Sequence, residues 1–578
     1  MKTIIAKSAI LASMLAAPLT GCVDEVFPSD DTVTEDQLDD LSAGLDGLVN
    51  AVAGHIGMSE TYGSSIEFDL GYPALSMIRD TYCSDFTIHS TGYDYFYYWA
   101  ANSYLGGNYS TAAYPWRYYY KWIENANIIL RKEFSESRRH NFGTAHFYRA
   151  WAYMDLARLY EYRATGVSSL DAQAEANGID GLTVPCITET TTEAEARNTP
   201  RLKFYDMYAF ILADLRKAET YLADCGEADR KAHNVPDISV VDGLLARFYL
   251  EVATRFELRP EHLSEYLESD ADLGAATATE AYSLAADYAR RAIASSSSAI
   301  LDQSTWFGGS GYNNGFNSAS DWMLGAIIGK EILSSSDWRN FIGHLSPEQY
   351  YGVGGITCES GVYTNTYGAQ RTISRRLYDQ ISDTDWRKLT WLSPDDAGLS
   401  NNGKYPTAVA DGHFKTIPPY AAFKFRPKDG ERSDYSVGSA ADFPLMRIEE
   451  MHFILAEAEA AAGNIGSGIA TLQELMRTRC ADYTCTAASL DDFREELMLQ
   501  KRIEFWGEGI VFWDFKRLAL PVVRGYRGTN VPSAYRLNSI EGYCAPWFNA
   551  YIPTKETGMN PAMKPNPDPS GTIDKWEE

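Results

Sequence analysis

The sequence predicts a mostly α-helical protein, a scaffold of paired helices with one face of long loops that carry occasional short strands. Three observations lead there: apolar residues recurring at helical spacing, short breaks between successive helical segments, and six long stretches rich in Gly, Asn, Ser and aromatics between the helices. A chain of 578 residues, 45% of them hydrophobic, has ample material for a sizeable core. Its 51 Lys and Arg against 78 Asp and Glu leave a net charge of −27. Such a surface repels phosphate backbones and argues against nucleic acid as a partner.

Residues 1–21 read as an export signal, with Lys2 and Lys7 ahead of a short apolar run from Ile10 to Ala17. The run is too short to span a bilayer. It ends in Leu19-Thr20-Gly21-Cys22, the pattern of a bacterial lipobox, in which Cys22 is acylated and becomes the first mature residue. Several acyl chains, at about 0.8 kcal/mol per buried CH₂, hold a protein at a membrane without a spanning helix. The acidic pair Asp24-Glu25 resembles the surface-export signal of Bacteroidetes lipoproteins. Residues 22–47 then read as a lipidated, acid-rich tether, and residues 48–578 as a single domain.

Helical periodicity is clearest at Tyr208, Ile211, Leu215, Ala218 and Leu222, at Val241, Leu244, Leu245, Phe248 and Val252, and at Tyr282, Ala285, Ala286, Ala289 and Ile293. A further segment, Ile448 to Ala462, breaks at Gly463-Asn464 and resumes to about Arg479. This gives the look of tetratricopeptide-like hairpins, although the strict 34-residue signature is absent. The intervening loops fall at 80–115, 164–200, 302–322, 340–370, 392–440 and 521–578. Loops of that length usually carry function.

Catalytic and metal motifs are weak. Gly398 to Lys404 has the spacing of a phosphate loop, but Tyr405 replaces the Mg²⁺-binding Ser or Thr and Pro406 disfavours the helix that must follow. Gly309-Ser310-Gly311 lacks the rest of a dinucleotide fingerprint, and His140 and His146 stand six apart, off a common helix face. Asp270, Asp272 and Gly274 form only a fragment of a calcium loop. Acid pairs such as Glu449-Glu450, Glu457 with Glu459, and Asp491-Asp492 are what a glycosidase needs, but in so acidic a chain they read first as solvated helix faces. Beyond Cys22, seven scattered cysteines cannot all pair; Cys480 and Cys485 are close enough in sequence to bridge. No catalytic residue, metal or cofactor is expected.

Aromatic density in the loops stands out. Residues 93–104 hold seven aromatics in twelve positions, and Trp306, Phe307, Tyr312 and Phe316 alternate with Asn313, Asn314 and Asn317. A flat ring covers the CH face of a sugar while amides and carboxylates bond its hydroxyl rim, so this mixture suits carbohydrate capture.

Motifs along the chain resemble the SusD/RagB family, the surface lipoproteins that Bacteroidetes pair with an outer-membrane transporter. Trp116–Leu130 resembles the family's early helix ending in an Ala-Asn motif, Arg149–Tyr160 its "RAxxYxxLxxxY" helix, and Val241–Leu250 its "LLARxYL" helix. Further on, Asp385-Trp386-Arg387 is similar to a "D-x-R" element, Phe423-Lys424-Phe425 to a lysine-aromatic strand, and Pro444 to Ala458 to "P-xx-R-xx-E-xxLxxAEA". Lys501–Arg517 resembles "ERRxELxxEGxRxxDLxR", and Tyr551–Pro561 the closing "IP-xx-E-xxxNP". Two departures are Lys501, where Arg is usual, and the apolar run Ile510 to Phe512. Arg447, Glu449, Arg502 and Glu504 read as scaffold charges that need one another if buried.

The resemblance implies a SusD-like helical fold and a non-catalytic lipoprotein, lipid-anchored at the outer-membrane surface. Such a protein takes part in polysaccharide utilization: it captures oligosaccharide and delivers it to a SusC-like TonB-dependent transporter. A peptide-binding RagB-like role is the alternative, and a surface glycosidase a more distant one. In the family the ligand residues lie in variable loops, and the two aromatic clusters occupy those places. On that basis Tyr93, Tyr95, Trp99, Trp306, Tyr312 and Trp322 are expected to stack on sugar, with Asp85, Asn102 and Asn313 bonding hydroxyls. Trp99 and Trp306 should be indispensable.

Overall fold

Ten helices carry the architecture of the computed structural model, which describes residues 44–57, 68–91, 94–312, 316, 322–328, 370–431, 435–438 and 440–578. They are α1 (Tyr72–Tyr82), α2 (Ser110–Leu130), α3 (Arg139–Tyr160), α4 (Phe204–Tyr221), α5 (Ile238–Leu258), α6 (Ala278–Ser295), α7 (Ile448–Ala461), α8 (Ile465–Arg477), α9 (Leu490–Glu504) and α10 (Val511–Arg517). From α2 to α8 each helix packs on the next, so the chain builds a stack of helical hairpins as the periodicity predicts. The export signal, Cys22 and nearly all of the tether lie outside the described residues.

Local chemistry sets the helix starts. Asp237 accepts from Val240 N–H ahead of α5, Thr277 from Glu280 N–H ahead of α6 and Asn464 from Ser467 N–H ahead of α8, while Ser489 and Asp492 form a capping box on α9. Each cap satisfies an amide that the first turn leaves without a partner. Helix α8 lies so close to α7 that a Cβ at Gly468 would fall 2.5 Å from the Ala456 carbonyl oxygen. Helices α1 and α3 differ from the others: all of α1, and every residue of α3 from Phe142 to Tyr160, is buried.

Two small antiparallel pairs tie distant loops together. Strand β1 (Phe86–Ile88) pairs with β3 (Arg371–Ile373), Phe86 opposite Ile373, and β2 (Leu324–Ala326) pairs with β4 (Phe443–Met446) through a bulge after Leu324. The strand expected at Phe423–Phe425 is reduced to isolated bridges at Ala421 and Ala422. There Lys424 leaves the ladder and buries its ammonium against the carbonyls of Glu504 and Trp506 at 2.8 and 2.9 Å. Some of the expected loops are also more ordered than predicted: the stretch 164–200 contains a helix at Ser168–Asn177 that Gly178 ends in the left-handed region.

A network of buried charge joins the C-terminal helices. Arg447 reaches Glu449 at 2.9 Å, Glu504 at 3.2 Å and Glu508 at 2.9 Å; Arg479 reaches Glu504 at 2.9 Å and Glu449 at 3.0 Å; Arg387 reaches Glu504 at 3.0 Å. Burial pushes the Glu504 carboxyl up, but the guanidiniums of Arg479, Arg447 and Arg387 outweigh it and hold the group well below the usual range. The Asp385-Trp386-Arg387 element enters here, Asp385 receiving Arg387 at 2.6 Å. Arg502 departs from expectation, because it pairs with Asp85 instead of joining this network.

The six described cysteines, Cys480 and Cys485 among them, are free thiols. The calcium-like fragment at Asp270–Gly274 is a local turn in which Asp272 Oδ1 accepts from Gly274 N–H at 2.8 Å. No described helix is long and apolar enough to cross a membrane.

Candidate ligand-binding site

Most of the residues expected to touch ligand are built into the core. Trp99 is 1% exposed and sits edge-on to Phe68, ring centroids 4.7 Å apart. Trp306 is fully buried between Phe316 and Trp386, its indole N–H donating to Thr390 Oγ1 at 3.2 Å and the Lys424 ammonium 4.8 Å from its ring. Trp322 is equally buried, and Gly325 lies so close that a Cβ there would stand 2.9 Å from the indole. None of these three indoles has a face free for sugar. Their burial corrects the expectation: in these loops the largest rings seal the scaffold.

The expected hydroxyl-binding groups are also engaged. Asp85 receives Arg502 Nε at 2.6 Å and Nη2 at 2.7 Å, and Ser374 Oγ at 2.9 Å, which makes it a buried anchor between β1 and α9. Asn102 is 1% exposed and donates from Nδ2 to the Pro569 carbonyl at 2.9 Å. Tyr312 is half-buried in the left-handed region with the Arg426 guanidinium 5.7 Å from its ring, and Tyr95 is half-buried. Tyr93 and Asn313 lie outside the described residues.

The same loop presents other rings to solvent. Tyr98, Tyr104 and Tyr109 are 44%, 51% and 44% exposed, among the largest apolar side chains left uncovered in the described residues. They meet edge to face in a continuous arc: Tyr98 to Tyr104 at 5.3 Å and 89°, Tyr104 to Tyr109 at 5.0 Å and 71°, with Tyr97 extending the row at 5.7 Å from Tyr98. Asn102 and Tyr104 both have positive φ, 49° and 56°, a conformation that costs a bulky residue energy and persists only where its surroundings impose it. Here the C-terminal segment does so. Gly571 N–H donates to the Asn102 carbonyl at 2.9 Å, Leu105 N–H to Ser570 Oγ at 2.8 Å, and Thr554 N–H to the Gly107 carbonyl at 2.9 Å.

Between loop and tail lies a cavity of about 400 Å³, lined by Tyr97, Tyr104, Tyr109, Ser103, Asp568 and Lys575 among others. It combines ring faces with hydroxyl, carboxylate and ammonium groups, the chemistry that holds a sugar by its CH face and its rim. Tyr97, Tyr98 and Tyr104 belong to the aromatic-rich stretch 93–104, and Tyr109 lies just beyond it, after residues 105–108. Ring identity alone did not separate them from Trp99; the signal that could have done so is the hydroxyl, which favours the water boundary over the core.

Comparison with known proteins agrees with this architecture. Residues 58–250 match a SusD-like family model described as "Starch-binding associating with outer membrane", and residues 394–569 match the SusD/RagB model described as "SusD family". The chain belongs to the SusD/RagB family. A SusD-like carbohydrate binding protein from Bacteroides vulgatus is 20% identical, with 90% of this chain and 96% of that one covered at a TM-score of 0.63. SusD superfamily proteins from Bacteroides thetaiotaomicron (16% identical, 92% and 99% covered, TM-score 0.61) and Parabacteroides distasonis (15% identical, 93% and 99% covered, TM-score 0.61) share the fold. No curated protein matches the chain.

The SusD motif residues serve the scaffold, and so do the paired acids apart from Asp491, which is exposed. Glu449 belongs to the buried network, Glu450 pairs with Arg247, Glu457 with Arg517, and Glu459 with Arg290 at 2.8 Å. Asp492 closes the capping box of α9. Each of these carboxylates has a structural partner where a glycosidase would need it facing substrate.

Proposed function

We propose that the protein is a non-catalytic surface lipoprotein that captures oligosaccharide on the Tyr98–Tyr104–Tyr109 arc and hands it to a SusC-like TonB-dependent transporter. The arc is the observation that carries this reading. Three exposed rings held in fixed relative orientation by a strained loop are costly to maintain unless something covers them. In this reading residues 1–21 are removed, Cys22 is acylated, and the acid-rich segment to residue 47 spaces the domain from the outer membrane. Family membership and the carbohydrate-binding description of the Bacteroides vulgatus relative support the ligand class.

Calorimetry on the form starting after Cys22, against plant, host and microbial oligosaccharides and a peptide digest, tests the ligand class. Saturable heat with one glycan class, and no reducing sugar released, is the expected result. Heat from peptides alone would move the protein to the RagB-like peptide reading, and release of reducing sugar would make it an enzyme.

A further inference from the structure

Arg163 sits in a segment whose backbone is pinned on both sides. Its N–H donates to Asn549 Oδ1 at 3.0 Å, its carbonyl accepts from Asn549 Nδ2 at 2.8 Å, and Cys544 N–H donates to the adjacent Ala164 carbonyl at 3.1 Å. The guanidinium, in contrast, makes no hydrogen bond or ion pair among the described residues. Burial holds it below the ordinary arginine range, and the charge of Arg259 adds to that effect. The carboxylate of Glu161 is already taken by Arg255 and, at 2.9 Å, by Arg259. The charge of Glu161 offsets this lowering only in part, and no described carboxylate pairs directly with the Arg163 guanidinium, which leaves it open to an anion from outside.

Arg163 lines a cavity of about 530 Å³ together with Tyr162, Arg259, Gly542 and Tyr543. Tyr543 is 43% exposed, and its ring rests on Gly166, where a Cβ would fall 2.9 Å from Cδ2. The ring and Arg163 line the same cavity. Of the acids that line the cavity, Asp171 accepts from Tyr162, Thr165 and Gly166, Asp180 and Glu261 lie 2.9 and 3.5 Å from Arg259, and Glu175 is exposed. This cavity shares no lining residue with the one beside the tyrosine arc.

An exposed ring beside a guanidinium suits a pyranose bearing a carboxylate: the CH face covers the ring and the carboxylate takes the two-pronged donor. We propose that the Arg163–Tyr543 cavity is a second ligand site, selective for an isolated uronic acid unit of a glycan. The surrounding acids disfavour a run of adjacent uronates, so the ligand is a mixed neutral and acidic chain. The overall charge of −27 opposes such a ligand at a distance, but screening over about 8 Å at physiological salt confines that opposition and leaves contact with Arg163 to decide. The proposal rests on the protein being a glycan binder, yet it concerns a site apart from the arc.

The test is calorimetry with glucuronate- and galacturonate-terminated disaccharides, each beside its neutral hexose counterpart. The acidic sugar should bind at least tenfold tighter. Arg163→Ala should erase that difference, Arg163→Lys retain part of it, and the Tyr98→Ala/Tyr104→Ala variant leave it intact. Because the Arg163 guanidinium makes no hydrogen bond or ion pair among the described residues, Arg163→Ala should stay close to the wild-type Tm, which separates loss of binding from loss of fold. Equal affinity for acidic and neutral sugars, a preference that survives Arg163→Ala or vanishes with the arc variant, or binding of an acidic peptide in place of the uronate would each overturn the proposal.

Discussion

Trp306 and Tyr104 put similar rings at opposite ends of the burial scale, and their substitutions should separate accordingly. Trp306→Ala opens a cavity among Phe316, Trp386 and Lys424 and should cost about 3–5 kcal/mol of stability, seen as a lower Tm. Tyr104→Ala should leave Tm nearly unchanged and weaken glycan binding about tenfold, or about 1.4 kcal/mol. Asp80 makes a different kind of prediction. Burial raises its carboxyl to about 7, although Gly509 N–H donates to it at 3.0 Å and Arg79 stands close. Raised in the fold above its ordinary value, Asp80 favours the protonated native state. That contribution is complete below about pH 4 and is lost as the pH climbs through about 7. Asp80→Asn keeps an acceptor for Gly509 and does not titrate, so its Tm relative to wild type should rise between pH 4 and 8. Thermal melts across that range check the sign. A variant that gains nothing at pH 8 would refute the assignment.

At the scale of elements, amphipathic helices were legible where one face meets water, as for α4, α6 and α8, whose apolar positions recur with helical spacing. Helix α3 was not legible in that way. It is buried on all sides and mixes Arg149, Asp155 and Arg158 with its apolar residues, so no stripe survives, and only its likeness to a family helix marked it. The site loop failed for a related reason. Seven aromatics in twelve residues announce a cluster, but which rings turn inward depends on positive φ at Asn102 and Tyr104, imposed by residues 554–571 far along the chain. The α7–α8 contact offers a direct check on element packing. Gly468→Ala places a methyl 2.5 Å from the Ala456 carbonyl oxygen and should lower stability by about 1–3 kcal/mol, measured by denaturant unfolding.

For the whole molecule, buried charge fastens the two family-matched halves to each other. Arg502 of α9 holds Asp85 beside β1, and Gly509 packs against Ser76 of α1, where a Cβ would come within 2.5 Å of its Cα. The need for these charges to find partners was visible in the sequence, and Arg447, Glu449 and Glu504 satisfy it; the pairing of Arg502 with Asp85 was not, because it joins residues 417 positions apart. Glu504→Gln leaves Arg387, Arg447 and Arg479 short of a shared anion and should cost about 3–5 kcal/mol in a global unfolding measurement. With the scaffold so fixed, the proposed oligosaccharide capture rests on the surface arc. The most direct measurement is the Kd of the best-binding glycan for wild type and for Tyr98→Ala/Tyr104→Ala, with Tm recorded for both. The account predicts an affinity loss of about a hundredfold, two tenfold steps of about 1.4 kcal/mol each, at unchanged Tm. Wild-type affinity in the folded double variant would contradict it.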